Sequence, residues 1–452
     1  MLTRTVDQIL VEHFKSSKTA LLIEGARQIG KTYSIREFGK KFKTYIEINF
    51  VEQPEAMSLF KDLSSTKDLL ARLSLFTSQD LIKRDTLIFF DEVQICPEVI
   101  TYIKFLVDEG SYSYILSGSL LGIEINALRS VPVGYLTIKR MFPLTFREFV
   151  SNLGINSKIL DSLEISFKEK KPVDDFIHQK MMELFRVYLV VGGMPAAVNR
   201  YIETNNLNEV IDIQRQIVNL YKKDITQYDK NNKLAIAQIF DLIAPQLNSQ
   251  NKRFIIKDIK AGIKFDRYEN SFLWLKDAGV ALPVYNVEMP KVPLKLSKSR
   301  SLFKLFMSDV GLLASEYSQG LQLKIISGDD NLNYGAIFEN FIAQELTACG
   351  HDLYYYNNKK RGELDFVIEY DGEVLPIEVK SGKDYKIHRA LSNIMDCAEF
   401  KLNNAVIFNN SNLKIEGKLT YAPIYMVMFL KQEIKEEDSI YKIDLSELNK
   451  RL

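Results

Sequence analysis

The sequence predicts an α/β protein with two sheet-bearing units separated by a helical middle, and three stretches carry that expectation. GARQIGKT (25–32) stands between a short apolar run and a helical spacing of apolar residues. TLIFFDE (86–92) reads as a buried strand that ends in two acids, and ELDFVIEYDGEVLPIEVKSG (363–382) reads as two alternating runs around a tight turn. At 452 residues the chain exceeds one ordinary core, since domains usually hold about 100 to 200 residues. About three units are expected on that scale.

Composition narrows the class. A formal charge of +1 and a hydrophobic fraction of 46% suit a soluble globular protein and exclude a disordered or wholly basic chain. Any nucleic-acid surface must therefore be local. The N-terminal MLTRTVDQILVEHF has no continuous apolar segment of the secretory kind, and the longest apolar run, IYMVMFL (424–430), is too short to span a bilayer. The expectation is a cytoplasmic protein with no membrane partner. Cys96, Cys349 and Cys397 are few and far apart, and the four histidines do not cluster with them, which argues against a disulfide framework or a zinc site.

The octet Gly25-Ala26-Arg27-Gln28-Ile29-Gly30-Lys31-Thr32 matches G-x-x-x-x-G-K-[ST], in which glycines let backbone N–H groups turn toward phosphate while Lys and Thr reach phosphate and Mg²⁺. TALLIEG before it is fit for a buried parallel strand. Ile35, Phe38 and Phe42 after it recur at helical spacing. A helix N-terminus offers free N–H groups and the positive end of a dipole, so the turn suits a polyphosphate. ATP and Mg²⁺ are the expected ligands. In TLIFFDE, Asp91 would hold the Mg²⁺ shell, and Glu92 would polarise the attacking water. SYILSGS (113–119) is a third apolar strand, ending in Ser117 and Ser119, either of which could touch the γ-phosphate.

LIEGARQIGKT, FFDEVQ and LSGSL, followed by PLTFREF (143–149), resemble the N-terminal domain of a prokaryotic family of AAA-like P-loop ATPases of largely unknown biological role. YLVVGGMPAAVNRY (188–201), LYKKDI (220–225) and SDVGLL (308–313) extend the likeness over roughly residues 15 to 385. The resemblance implies Lys31 and Thr32 as the Walker A pair, Asp91 and Glu92 as Walker B, and Ser117 as a first sensor. Many relatives carry Gly-Arg shortly before the PLTF segment, where this chain has Gly134-Tyr135. Arg129 and Arg140 are nearby, and the oligomeric state stays open.

After an ATPase domain over 1–150, residues 151–230 read as a helical lid, with SNLGINSK and KEKKPVDD as polar links and Gly192-Gly193 as a break. Residues 231–304 read as helix, short helix, longer helix and then a strand pair or wing, an order that resembles a winged helix. Such a module docks DNA in some proteins and serves as a plain lid in others. From Asn251 to Lys304 there are twelve Lys or Arg against five Asp or Glu, a surplus that a phosphate-facing surface would show, as would a solvated linker. DNA is a candidate partner on this ground.

Asp371-Gly372 between two alternating runs signals a two-residue hairpin over 363–382. The turn sets Tyr370 opposite Glu373, which puts Asp365 opposite Glu378 and Glu363 opposite Lys380. Leu364, Phe366, Ile368, Leu375, Ile377 and Val379 then share an apolar face, leaving the other acidic with one lysine. Facing carboxylates about 4.5 to 5.5 Å apart repel unless a proton or cation intervenes. A hard divalent metal would relieve them. GAIFENFIAQELTACG, the preceding helix, adds Glu339. The set resembles the PD-(D/E)XK nuclease core within a domain over 305–410, with 411–452 as an extension. That resemblance implies Asp365 and Glu378 as metal ligands and Lys380 as the residue that orients water. An exposed hairpin face with Lys380 paired to Glu363 is the plain alternative, and Pro376 could force a bulge.

Three functions are consistent with these motifs. One is a Mg-dependent ATPase that acts on or docks to DNA through the middle and C-terminal domains. The second is a metal-dependent nuclease licensed by ATP, and the third a non-catalytic module gated by nucleotide.

Overall fold

The computed structural model describes residues 2–119, 134–228, 233–249, 252–259, 265, 268–318, 320–329, 333–382, 386–432 and 443. Leu120 of the LSGSL stretch and Arg129 lie outside them. Five strands build the first sheet: β1 (Ala20–Glu24), β2 (Thr44–Asn49), β3 (Thr86–Asp91), β4 (Ser113–Gly118) and β5 (Leu136–Arg140). Their order is β2-β3-β4-β1-β5 and every pair is parallel. Both faces are covered, which is why β3 reads as an unbroken apolar run. Leu87 and Phe89 pack into one core, and Ile88 and Phe90 into another under helices Thr66–Thr77 and Glu98–Glu109. The expected strands at 19–25, 86–92 and 113–119 are thus central and neighbouring, with their carboxyl ends together.

Helices Ser157–Glu169, Asp175–Val191, Pro195–Thr204 and Leu207–Tyr228 occupy the expected helical stretch. Helix Lys233–Leu247, the turn Ile256–Asp258 and helix Glu269–Asp277 follow.

The second sheet holds eight strands: β6 (Ala281–Val287), β7 (Lys298–Met307), β8 (Tyr354–Asn358), β9 (Gly362–Tyr370), β10 (Glu373–Val379), β11 (Ala405–Asn409), β12 (Lys414–Glu416) and β13 (Leu419–Pro423). Their order is β12-β13-β11-β10-β9-β8-β6-β7. Two boundaries of the sequence reading shift here. The strand pair expected as a wing does not stand alone, because β6 runs parallel to β8 and the hairpin forms one edge of this sheet. Ala281, Val284 and Val287 are buried, and a free wing would leave them uncovered. The expected extension after 410 likewise contributes β12, β13 and the wholly buried turn Ile424–Phe429, as its apolar run requires.

The hairpin register is as counted: Glu373 faces Tyr370, Pro376 faces Val367 and Ile377 faces Phe366. Pro376 introduces no slip against β9. The faces differ from expectation in one respect. Between Tyr354 and Tyr356 of β8 the pairing moves from Val367 to Leu364, so β9 carries one extra residue there. Leu364 consequently joins Val367 in a small core with Leu391 and Ile394 of helix Arg389–Met395, while Phe366, Ile368, Leu375, Ile377 and Val379 pack in the large one. The face expected to be acidic is partly apolar and covered.

One continuous core runs from Leu2 to Leu430, and the PLTF, GGMP and SDVGLL segments meet inside it. Leu144 N donates to Gly193 O at 2.7 Å, and Gly193 N donates to Asp309 Oδ2 at 2.6 Å. Asp309 Oδ1 also accepts from Leu312 N, capping helix Val310–Ser315. Gln344 accepts from Val310 N at 2.8 Å and donates to Tyr188 Oη at 2.6 Å. Glu345 Oε1 accepts from Phe146 N at 2.8 Å. Phe146 N at the end of the first domain is therefore satisfied by a side chain of helix Gly335–Ala348, which lies against the second sheet.

Candidate nucleotide site and C-terminal carboxylate cluster

The loop after β1 turns into helix Lys31–Gly39 through left-handed backbone at Gln28 (φ 64°) and Gly30 (φ 93°). A Cβ at Gly25 would collide with the carbonyl of Met141, so glycine is required where the loop passes β5. Gly30 caps a nine-residue helix without a side-chain acceptor, leaving its first N–H groups free for an anion. The motif thus folds as a phosphate cradle.

Lys31 Nζ donates to Gly25 O at 2.9 Å and to Ala26 O at 2.8 Å. Burial pulls its pKa down to about 8, partly offset by Glu92 and Asp91. The lysine closes the loop on itself, and a phosphate would replace two carbonyls with a full negative charge. Thr32 Oγ1 donates to Asp91 Oδ2 at 2.9 Å, and Ser117 Oγ donates to Asp91 Oδ1. Asn49 Nδ2 approaches Asp91 Oδ2 at 3.3 Å. Burial raises the Asp91 pKa against the hydrogen bond from Ser117, a cost that a cation beside it would remove. These donors fit Mg²⁺ with a nucleotide: Thr32 and Asp91 would hold the ion, and the ion would offset charge on the phosphates.

Glu92 has left-handed backbone (φ 54°), which turns it out of the strand. Its Oε2 accepts from Ser119 Oγ at 3.1 Å and from Gln94. Arg27, inside the loop, reaches Ser119 Oγ at 3.3 Å and pairs with Asp224 at 2.6 Å. Tyr221 Oη donates to Arg27 O at 2.9 Å. LYKKDI therefore lies on the P-loop, a placement that sequence reasoning did not foresee. It also missed Arg4, whose buried guanidinium bonds Ile29 O, Phe142 O and Glu148. A lone arginine near the N-terminus gives no sequence signal. Arg140 donates to Lys276 O and lies over Phe142, so it is committed within its own chain.

In the second sheet Glu339, Asp365, Glu378 and Lys380 gather as expected, with charged company the sequence did not reveal. Asp365 Oδ2 accepts from Val379 N at 2.8 Å. Lys380 pairs with Glu378 at 2.8 Å, not with Glu363. Glu363 takes Lys304 of β7 at 2.6 Å, and Lys304 also lies 3.7 Å from Glu339. Lys252 reaches Glu339 as well. Burial would lower the Lys304 pKa, but Glu339, Asp365 and Glu363 around it raise it, so it stays charged. Burial and the charges of Glu339 and Glu378 push the Asp365 carboxyl well above its usual range. Burial likewise raises Glu378, against the pull of Lys380.

Four carboxylates thus face three ammonium groups. Glu339 Oε2 and Glu378 Oε2 are buried without a hydrogen bond, yet among the described residues no three acidic, His or Cys side chains are arranged to hold a metal ion. The cluster does not fit the expected resident divalent cation, because lysines occupy the positions from which it would be neutralised. Two residues of the basic 251–304 stretch are consumed in this way. Lys298 is a third, resting 3.5 Å from the Tyr285 ring centre. Lys257, Lys295 and Arg300 remain exposed.

Among the described residues no helix is long and apolar enough to cross a membrane. Residues 182–322 and 334–427 match two family models, each described as a domain of unknown function. No curated protein matches the chain. Solved structures similar to it include a Walker-type ATPase of Pyrococcus abyssi, 14% identical over 70% of this chain and 95% of that one, at a TM-score of 0.43. AMPPCP-bound DnaA from Aquifex aeolicus is 13% identical, with 60% and 86% covered and a TM-score of 0.29. The Aeropyrum pernix ORC1 protein in complex with DNA is 11% identical, with 72% and 90% covered and a TM-score of 0.26. Residues 17–150 match a family model described as an AAA domain, and the loop, strand ends and parallel sheet order above give them the fold of an AAA-like P-loop domain.

Proposed function

We propose that the chain is a Mg-dependent ATPase of the cytoplasm whose nucleotide state is passed to its C-terminal sheet, and that this part docks DNA. The observation that supports hydrolysis is the chain Thr32–Asp91–Ser117 beside Glu92, at the carboxyl ends of β3 and β4. Glu92 is restrained by Ser119 and Gln94, and an incoming γ-phosphate with its water would compete for those groups. Lys31 would then turn from Gly25 O and Ala26 O to phosphate. Transmission to the C-terminal part is supported by Phe146–Glu345 and Gly193–Asp309, which tie the two ends of the chain. For DNA the support is the exposed set Lys257, Lys295 and Arg300. Steady-state hydrolysis with and without duplex DNA, compared with Glu92→Gln, tests the reading. Hydrolysis stimulated by DNA and lost in the variant is expected, at a loss of about 100-fold or more. Hydrolysis indifferent to DNA at low salt would leave the ATPase and remove DNA as its partner.

A second reading concerns the carboxylate cluster. Lysines 252, 304 and 380 in contact with Glu339, Glu363 and Glu378 favour a nuclease-like fold that binds and does not cut. Mg²⁺- or Mn²⁺-dependent nicking that disappears in Asp365→Ala would overturn it.

A further inference from the structure

Outside both sites, a cavity of about 590 Å³ opens between helix Asp175–Val191 and the segments that follow β10 and β11. That volume falls within the range of small-molecule sites, roughly 300 to 1,000 Å³. Strands β10 and β11 are parallel, and Ser381 and Asn410 line the cavity just past their carboxyl ends, where ligands of such sheets collect. Arg186 supplies its charge. The guanidinium Nε is buried with no hydrogen-bond partner, and no acid among the described residues pairs with it. Glu183, one turn earlier, is taken by Lys180 at 2.8 Å.

Three other polar residues of the cavity are tied to their neighbours. His178 Nε2 lies 3.2 Å from Asn410 O and Nδ1 3.1 Å from Tyr425 Oη, while Asn410 Nδ2 donates to Ser381 O at 3.1 Å. Burial lowers the His178 pKa, so at neutral pH the ring adds no charge, and among the described residues lining the cavity Arg186 is the cation without a counter-ion. A guanidinium fork matches the geometry of phosphate oxygens. Tyr334 and Phe338 also line the cavity, with ring centres 5.5 Å apart and planes tilted by 46°, and offer aromatic surface to a flat ring.

We propose that this cavity binds a phosphate monoester of mononucleotide size, with the phosphate on Arg186 and the base against Tyr334 and Phe338. The site is separate from the Walker A loop, so this inference stands whether or not the chain hydrolyses ATP. Its position immediately after Glu378-Val-Lys380 would let an occupied cavity hold the strand end on which the carboxylate cluster depends.

The test is calorimetric titration of the full chain with AMP and with adenosine in the Lys31→Ala background, where the P-loop cannot hold phosphate. AMP is expected to bind, adenosine to bind at least tenfold more weakly, and Arg186→Gln to weaken AMP by tenfold or more. Should that variant fold poorly, judged by its unfolding midpoint without ligand, Ser381→Phe fills the same cavity from another element and is expected to abolish AMP binding. A 5′-phosphorylated tetranucleotide distinguishes the source of the phosphate. Binding as tight as AMP assigns the cavity to strand ends, and binding of AMP alone assigns it to free nucleotides. No AMP binding, or AMP and adenosine binding equally, would overturn the proposal.

Discussion

Arg27 of the P-loop and Asp224 of helix Leu207–Tyr228 form an ion pair at 2.6 Å, across 197 residues of sequence. Asp224 is nearly covered while Arg27 is partly exposed, and Tyr221 of the same helix holds the Arg27 carbonyl. The loop that should wrap phosphate is thereby latched to the helical middle. Arg27 also touches Ser119, which in turn restrains Glu92. Arg27 and Ser119 thus link Glu92 to helix Leu207–Tyr228, which leads toward the C-terminal half.

Releasing the latch should ease nucleotide entry. Asp224→Asn removes the charge that holds Arg27 and leaves the arginine free to turn toward phosphate. The pair is partly screened by solvent, so its worth is about 1 kcal/mol, equivalent to roughly a fivefold change in affinity. ATP should bind the variant several-fold tighter, as read by equilibrium titration of a fluorescent ATP analogue. Equal or weaker binding would show that the pair supports the loop instead of restraining it.

What could be read from the sequence divides by range of interaction. The octet, the strand ending in Asp91-Glu92 and the Asp371-Gly372 turn were legible because each is a local pattern that physics ties to one backbone geometry. Asp365, Glu378 and Lys380 were legible for the same reason, as counting from a tight turn fixes register, whereas Glu339, on the helix before the hairpin, came in only through the resemblance. Lys304 was not: it sits on a strand 59 residues before its partner Glu363, and from sequence it looked like one member of a solvated basic stretch. The β6–β7 hairpin was misplaced because a strand pair carries no mark of which sheet it will extend. Leu364 changed cores through an extra residue in β9, and such a bulge has no reliable sequence signature without its partner strand.

Gly193 tests the junction. A Cβ there would run into the Leu144 carbonyl and its flanking backbone, and backbone cannot yield as a flexible side chain does. Gly193 N is also the donor to Asp309 and its carbonyl the acceptor for Leu144. Gly193→Ala should therefore cost more than about 4 kcal/mol, at the extreme of single substitutions, and denaturant unfolding should read it. A loss under 1 kcal/mol would mean that the Leu144 and Gly193 segments are not rigidly joined.

Lys304 tests the carboxylate cluster. It is 1% exposed and shared between Glu363 and Glu339, so Lys304→Met leaves buried carboxylates with too little positive charge. Removing one partner of a buried pair costs about 3 to 5 kcal/mol, and the thermal midpoint should fall accordingly. If lysine stands where a cation would otherwise sit, millimolar Mn²⁺ should recover part of that loss in the variant and do little for the wild type. Recovery in neither would show that the lysine does more than neutralise charge.

Glu345 gives the junction a pH dependence. Burial raises its pKa from 4.5 to about 8, opposed by the bond from Phe146 N and by Lys431, and assisted by Glu148. Tyr188 and Cys349 also face it, and burial holds both in their neutral forms at physiological pH. A carboxyl whose folded pKa is raised binds protons more tightly in the native state than in the unfolded one. Its stabilising contribution is fully present below about pH 4.5 and is lost as pH rises through about 8, at about 1.4 kcal/mol per unit of pH. Glu345→Gln keeps an oxygen for Phe146 N and removes the proton. Subtracting the two unfolding curves isolates this group from the other titrations. The variant should gain stability relative to wild type steadily between pH 5 and 8, by a few kcal/mol in all, and a difference that stays constant over that range would mean that Glu345 is already charged in the folded protein.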